Sequence, residues 1–249
     1  MIAVMNQKGG VGKTTTAINL AHALAMAGKR VLAIDLDPQA NMTAGLGISN
    51  HGVEGMDQVL LAGIALSDCI VKSRNNLDVV PAGPGLANME HELHGGKERG
   101  MRLKHALADS AQKYDLVLFD CPPSAGLLGM NALFASTELL IPVSSDYLSL
   151  QGLSHFMGTL KFVEQTIKRP MNKKVLMTRF QKQRRLARDV RDKLMNYFPN
   201  DLLETTIREN VALTECPGYG ETVFEYKANS NGAEDYRSLA AELLNITWH

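Results

Sequence analysis

The sequence predicts an α/β fold: a doubly wound, mostly parallel sheet with helices on both faces, built as one domain over residues 1–249. Two observations lead there. Short apolar runs rich in β-branched residues alternate with longer stretches of helical periodicity, the pattern of repeated strand–helix–strand units. VLAI (31–34) and LVLF (116–119) are unbroken apolar runs, as strands covered on both faces require.

Element by element, strands are expected at IAVM (2–5), RVLAIDL (30–36), LDVVPA (77–82), YDLVLFD (114–120), ELLIPV (138–143), KVLMT (174–178) and LLETTI (202–207). Helical patterns fall near 13–27, 55–62, 84–94, 98–112, 126–135, 150–168, 184–197 and 233–245, and HELHGGKERG (91–100) reads as a surface loop. Ligands of such sheets bind at the carboxyl ends of the strands, which directs attention to the residues just after 5, 36, 120 and 143.

Bulk composition excludes more than it assigns. Lys+Arg and Asp+Glu are both 26, so net charge argues for no particular partner and only local clustering can. Three scattered cysteines (Cys69, Cys121, Cys216) with no C-x-x-C fit a reducing cytosol and argue against disulfides or a zinc site. No run approaches the roughly eighteen apolar residues of a membrane span. Polar Asn6, Gln7 and Lys8 interrupt the start too soon for a signal peptide. A cytoplasmic protein is expected.

The first strand end carries NQKGGVGKTTT (6–16). The ordinary phosphate loop is G-x-x-x-x-G-K-[ST]; here Gln7 stands where its first glycine belongs, and Gly9 and Gly10 stand further on. Gly9, Gly10, Val11 and Gly12 can curl backbone N–H groups round an anion. Lys13 supplies charge to the β/γ-phosphates, Thr14 a hydroxyl ligand for Mg²⁺, and Thr15 a hydroxyl to the α-phosphate. The helix beginning at Lys13 adds its positive dipole end. ATP and Mg²⁺ are the expected cofactors.

KGGVGKTT resembles the deviant Walker A motif of the partition and positioning ATPases, the ParA/MinD class of P-loop NTPases. VLAIDLDPQAN (31–41) and DLVLFDCPP (115–123) resemble that class's next two motifs, and NVALTECPGYGETVFEY (210–226) resembles the ParA branch near its carboxyl end. The resemblance implies that Lys8 crosses a dimer interface to phosphates bound by the other subunit, stabilising charge there as an arginine finger does. It implies that Asp120 holds Mg²⁺ through water and that Asp37 positions the attacking water. Asp35 is either an outer partner of the metal or a loop cap. Asn210 and Pro217 are implied to contact the adenine. DCPPSAGLLG (120–129), with two glycines ahead of a helix, is a candidate γ-phosphate switch.

Residues 168–193 carry eleven cations against Asp189 and Asp192, +9 in a chain of zero net charge. Leu186, Val190 and Leu194 are expected to pack inward from a helix whose Arg184, Arg188 and Arg191 line another face. With Arg179 and Arg185 these suit sequence-independent binding of a DNA backbone, as ParA-branch dimers bind nucleoid DNA. IRENVAL (207–213) departs from that branch's I-P-R-N-V-R-L, placing Arg208, Glu209 and Ala212 where Pro, Arg and Arg are usual. The implied protein is a slow ATPase, homodimeric with ATP, nucleoid-associated, and stimulated by a ParB-like or cargo-adaptor partner. Two other classes compete. A MinD-like membrane ATPase needs a basic amphipathic tail, whereas GAEDYRSLAAELLNITWH is acidic. An iron–sulfur donor needs two cysteines on the switch segments, where only Cys121 lies.

Overall fold

The computed structural model describes residues 1–90, 96–124 and 126–247. Eight strands, β1 (Ile2–Val4), β2 (Val31–Asp35), β3 (Val71–Arg74), β4 (Leu77–Val80), β5 (Leu116–Asp120), β6 (Glu138–Ser144), β7 (Asn172–Phe180) and β8 (Leu202–Arg208), form one sheet in the order β3-β4-β2-β5-β1-β6-β7-β8. Every neighbouring pair is parallel except β3–β4. Central β1 lies between β5 and β6, so the loop leaving it emerges at the crevice where strand order reverses.

The helices are α1 (Lys13–Met26), α2 (Asn41–Gly45), α3 (Ala87–Glu90), α4 (Gly96–Gly100), α5 (Arg102–Ser110), α6 (Leu127–Ala135), α7 (Tyr147–Ile167), α8 (Arg185–Tyr197), α9 (Val211–Glu215), α10 (Val223–Tyr226) and α11 (Asn231–Leu244). Alternation along the strands divides the core in two. Ala3, Met5, Leu32 and Ile34 pack with α5 to α8, while Ile2, Val4, Val31 and Ala33 pack with α1, α2 and α11. Ala17, Ala21 and Ala25 are buried on α1, whose small side chains let it lie between sheet and α11. Carboxylates of α11 also serve β8 at the sheet edge: Glu242 accepts from the Glu204 and Thr205 N–H groups, and Asp235 from that of Arg208.

The structure departs from expectation at several elements. β3 is short, polar and antiparallel; its hairpin turns at Asn75–Asn76, with Asn76 at φ 58°. The predicted helix over 55–62 is one π-type turn at Gln58–Ala62. Of 84–94, α3 covers Ala87–Glu90 and residues 91–94 lie outside the described residues, as does 91–95 of the expected loop; 96–100 is helical. In the switch segment Ala125 is outside the described residues. Gly129 sits within α6, where a Cβ would meet the Ser124 carbonyl at 2.7 Å.

Candidate functional site

Between β1 and α1 the phosphate loop is held from three sides. Gly10 (φ 73°) and Gly12 (φ 88°) are left-handed, so glycine is needed at both. The Thr178 hydroxyl at the end of β7 donates to the Val11 carbonyl (2.8 Å). Buried Asn6 donates through Nδ2 to the Pro142 carbonyl of β6 (2.7 Å) and accepts the Lys8 N–H (3.0 Å). Lys13 donates to the Lys8 carbonyl (3.1 Å) and is buried, which lowers its pKa against the pull of Asp120 and Asp37. Gly12 is the residue before α1 and offers no side-chain cap, so the first N–H groups of α1 are left for an anion.

The three acids differ sharply. Asp35 is fully engaged: its Oδ1 accepts the Asp37 N–H (3.1 Å), and its Oδ2 accepts the Thr43 N–H (2.9 Å) and hydroxyl (2.7 Å). The Thr43 hydroxyl in turn accepts the Ala82 N–H (3.2 Å), which ties the exits of β2 and β4 together. Burial raises the Asp35 pKa to about 6 despite these donors. These three donors make Asp35 a cap of the loop that follows β2. Asp37 caps the Gln39 N–H (3.0 Å) and is buried. Asp120, at the end of β5, is buried with neither carboxylate oxygen hydrogen-bonded. Burial first, then the Asp35 carboxylate, raises its pKa well above the ordinary value; the Thr14 hydroxyl is near enough to oppose this without a bond of normal geometry. Two orphaned buried oxygens are costly. Their chemistry fits a nearby divalent cation, whose bound waters would satisfy them.

Lys8 does not extend into solvent. Its ammonium meets Asp146 Oδ1 (2.5 Å) and the Ser149 hydroxyl (2.9 Å) at the start of α7. No local sequence signal pointed to that pairing.

A cleft of about 350 Å³ runs from Gly12 and Thr15 to Asn210, Leu213, Thr214 and Pro217. The two residues expected to contact adenine therefore share a cleft with the phosphate loop. Asn210 also caps α9 by accepting the Ala212 N–H (2.9 Å). Arg179, expected on the DNA face, lines this cleft and adopts φ 50°.

The basic segment needs correcting in detail. α8 begins at Arg185, so Arg184 precedes the helix in extended conformation. Ala187, Val190 and Leu194 are the buried stripe, and Leu186 is 48% exposed, displaced because the stripe follows i, i+3, i+7 and not i, i+4, i+8. Arg188 is exposed and donates to the Lys182 and Gln183 carbonyls, while Arg191 is half-buried with a buried Nε lacking a partner. Lys182, Arg185, Arg188 and Arg191 line one cavity with Asp189, Asp192 and Glu204. Elsewhere in the segment Arg169 bonds the Ser136 carbonyl and Lys173 pairs with Glu164. Arg208 is held by Asp235 and Glu234, and Gln181 donates to Glu209, so the two charged departures in IRENVAL form internal pairs.

Comparison with known proteins agrees with this arrangement. The profile of a family described as an AAA domain matches residues 1–177. The chain is 43% identical over 246 residues to the sporulation initiation inhibitor protein Soj of Bacillus subtilis, spanning 98% of this chain and 97% of that protein. It is 40% identical over 247 residues to the chromosome partitioning protein ParA of Myxococcus xanthus, spanning 98% and 87%. Among solved structures, cobyrinic acid a,c-diamide synthase of Mycobacterium smegmatis, with bound ATP analogue and magnesium, superposes with a TM-score of 0.83 at 32% identity over 98% of this chain and 93% of that one. A deviant phosphate loop at the switch point of this sheet, with relatives this similar along nearly the whole chain, makes it a member of the ParA/MinD class of P-loop ATPases, on the ParA partition branch.

Proposed function

We propose that this protein is an ATP-driven partition or positioning switch: it binds MgATP, closes as a nucleotide-sandwich dimer, holds DNA without sequence preference, and is released when a ParB-like or cargo-adaptor partner stimulates slow hydrolysis. The observation that carries the proposal is the orphaned Asp120 carboxylate beside Thr14 and Lys13 at the mouth of a glycine loop. Backbone N–H groups of residues 9–12 receive the phosphates and Lys13 neutralises the β/γ oxygens. A bound Mg²⁺ would supply charge neutralisation at the phosphates. Thr14 and, through water, Asp120 would hold it, while Asp35 keeps the neighbouring loop in place. Asp37 orients the attacking water; in a loose transition state placement matters more than basicity. Lys8 of the partner subunit supplies the remaining cation. Asn210 and Pro217 bound the base cleft.

Asp37→Ala should lower ATP turnover at least about a hundredfold, the scale on which misplacing a reacting group by about 1 Å slows a reaction, and leave an ATP-bound dimer. Phosphate release measured at saturating MgATP decides this, and undiminished turnover rejects the role. A synthase activity, by the name of the mycobacterial neighbour, has the weaker support, at 32% identity against 43% for Soj. A membrane-positioning role is disfavoured by α11, whose Tyr236 and Leu239 are buried against the body of the protein.

A further inference from the structure

Given the assignment of the cleft at Pro217 to adenine proposed above, we infer that Arg74 is a positioning residue for the base, clasping the outer wall of that cleft, residues 217–220, to the frame that carries the phosphate loop. Nothing about β3 itself calls for an arginine, since the strand is short, polar and at the sheet edge. The Arg74 side chain is nevertheless only 13% exposed, and its partners come from loops far along the chain.

The guanidinium is saturated. Nε donates to Glu225 Oε1 (3.1 Å), Nη1 to the Leu46 carbonyl (2.8 Å) and the Ser73 hydroxyl (2.6 Å), and Nη2 to the Gly220 carbonyl (2.9 Å) and Glu225 Oε2 (3.0 Å). Leu46 and Gly220 lie in different loops, one leaving α2 and the other leaving the turn Cys216–Tyr219 that carries Pro217. These loops press directly together: a Cβ on Gly220 would stand 2.7 Å from Gly47 Cα, and one on Gly45 3.3 Å from Pro217 Cβ. Backbones this close leave no room for a side chain between them, and Arg74 reaches both carbonyls from outside.

The anion that holds Arg74 is fixed in turn. Glu225 Oε2 accepts the Thr222 N–H (2.8 Å), closing the capping box of α10. Burial pushes the Glu225 pKa up, but hydrogen bonds from Arg74 and Thr222 outweigh it and hold the carboxyl below its usual range. Asn19 ties α10 to α1: its Oδ1 accepts the Val223 N–H (2.8 Å) and its Nδ2 donates to the Thr15 carbonyl (2.8 Å). His22 Nδ1 adds a contact of 2.6 Å to the Thr222 hydroxyl. Polar contacts therefore run from the first turn of α1 through α10 and Arg74 to the Gly220 carbonyl. The Gly220 and Glu221 N–H groups bond back to the Pro217 and Cys216 carbonyls (3.1 and 3.2 Å), so the wall holds together with Pro217. Arg74 thereby sets where that wall stands relative to the phosphate loop.

A mere tie at the sheet edge and a clasp on the cleft give different binding results. If Arg74 only stabilises the β3 hairpin, its loss affects every ligand alike or none. If it places the wall, the loss falls on ligands that carry a base. A wall in its binding position for about one tenth of the time weakens apparent affinity about tenfold. Titration of the full chain with a non-hydrolysable ATP analogue and with inorganic tripolyphosphate, both with Mg²⁺, discriminates between them. Arg74→Gln should bind the analogue about tenfold more weakly than wild type and tripolyphosphate equally well. Arg74→Lys should not restore the loss, because an ammonium cannot span both carbonyls and Glu225 as the planar fork does. Glu225→Gln, which keeps the capping box, should move the same way by less, and it carries the decision should Arg74→Gln fail to fold. Unchanged affinity for the analogue, an equal loss for both ligands, or full rescue by lysine overturns the clasp. The wild-type chain tells the two readings apart. If it binds the analogue no more tightly than tripolyphosphate, the base cleft itself is misassigned; if it prefers the analogue and Arg74→Gln keeps that preference, only the clasp fails.

Discussion

Gly12 and Tyr236 show how single residues support the phosphate loop and the helix that follows it. At φ 88° Gly12 occupies backbone space costly to any residue with a Cβ. Gly12→Ala should therefore cost about 1–2 kcal/mol in urea unfolding, and weaken nucleotide binding by turning the N–H groups away from the anion. Tyr236 on α11 is buried, its hydroxyl 3.1 Å from that of Thr16 on α1, and burial raises its pKa. Tyr236→Phe should cost about 1 kcal/mol because the Thr16 hydroxyl is left unpaired, and adding Thr16→Val should recover much of it. A double-mutant cycle on thermal unfolding measures both. Failure of the second substitution to recover stability would mean that packing, not the hydroxyl pair, joins α11 to α1. Glycines and the Lys-Thr-Thr run were legible because their spacing is local. Thr178 and Asn6, which fix the same loop, were not: Thr178 reaches Val11 from β7 and Asn6 reaches Pro142 on β6, each far along the chain from its partner.

Among the elements, α8 bears most directly on DNA. Its three arginines differ in kind: Arg185 is exposed with a long i, i+4 approach to Asp189 (3.9 Å), Arg188 is tethered to the preceding turn, and Arg191 is half-buried. Neutralising Arg184, Arg188 and Arg191 together should weaken duplex binding and flatten the slope of log affinity against log salt by about 0.9 for each phosphate no longer neutralised. Fluorescence anisotropy over a salt series checks this, and an unchanged slope moves the site elsewhere. The composition of the segment was readable, but its phasing was not, because i+3 and i+4 steps both lie on one helix face and Ala187 is too small to mark the stripe against Leu186. Short elements escaped for a related reason. α2, α9 and α10 span four or five residues, too few for a period to emerge.

Considered whole, the protein is a sheet whose switch point gathers β1, β2, β5 and β6 ends round one anion site, leaving the Lys8 side of that site against α7. Lys8→Ala should leave measurable ATP binding, since Lys13 and the glycines are intact, while abolishing ATP-dependent dimers in light scattering. Normal dimers would refute the shared pocket. The two ends of the sheet are protected differently, a polar hairpin at β3 and the acids of α11 at β8.

Local order in the sequence determined the doubly wound sheet, the phosphate loop and the strand ends that carry acids, because each depends on neighbours within a few residues. Only the tertiary structure decided which acid is left without donors, which arginine lines the cleft beside the phosphate loop, and what holds Lys8. Those outcomes depend on burial and on partners brought together from distant strands, and no spacing along the chain encodes them.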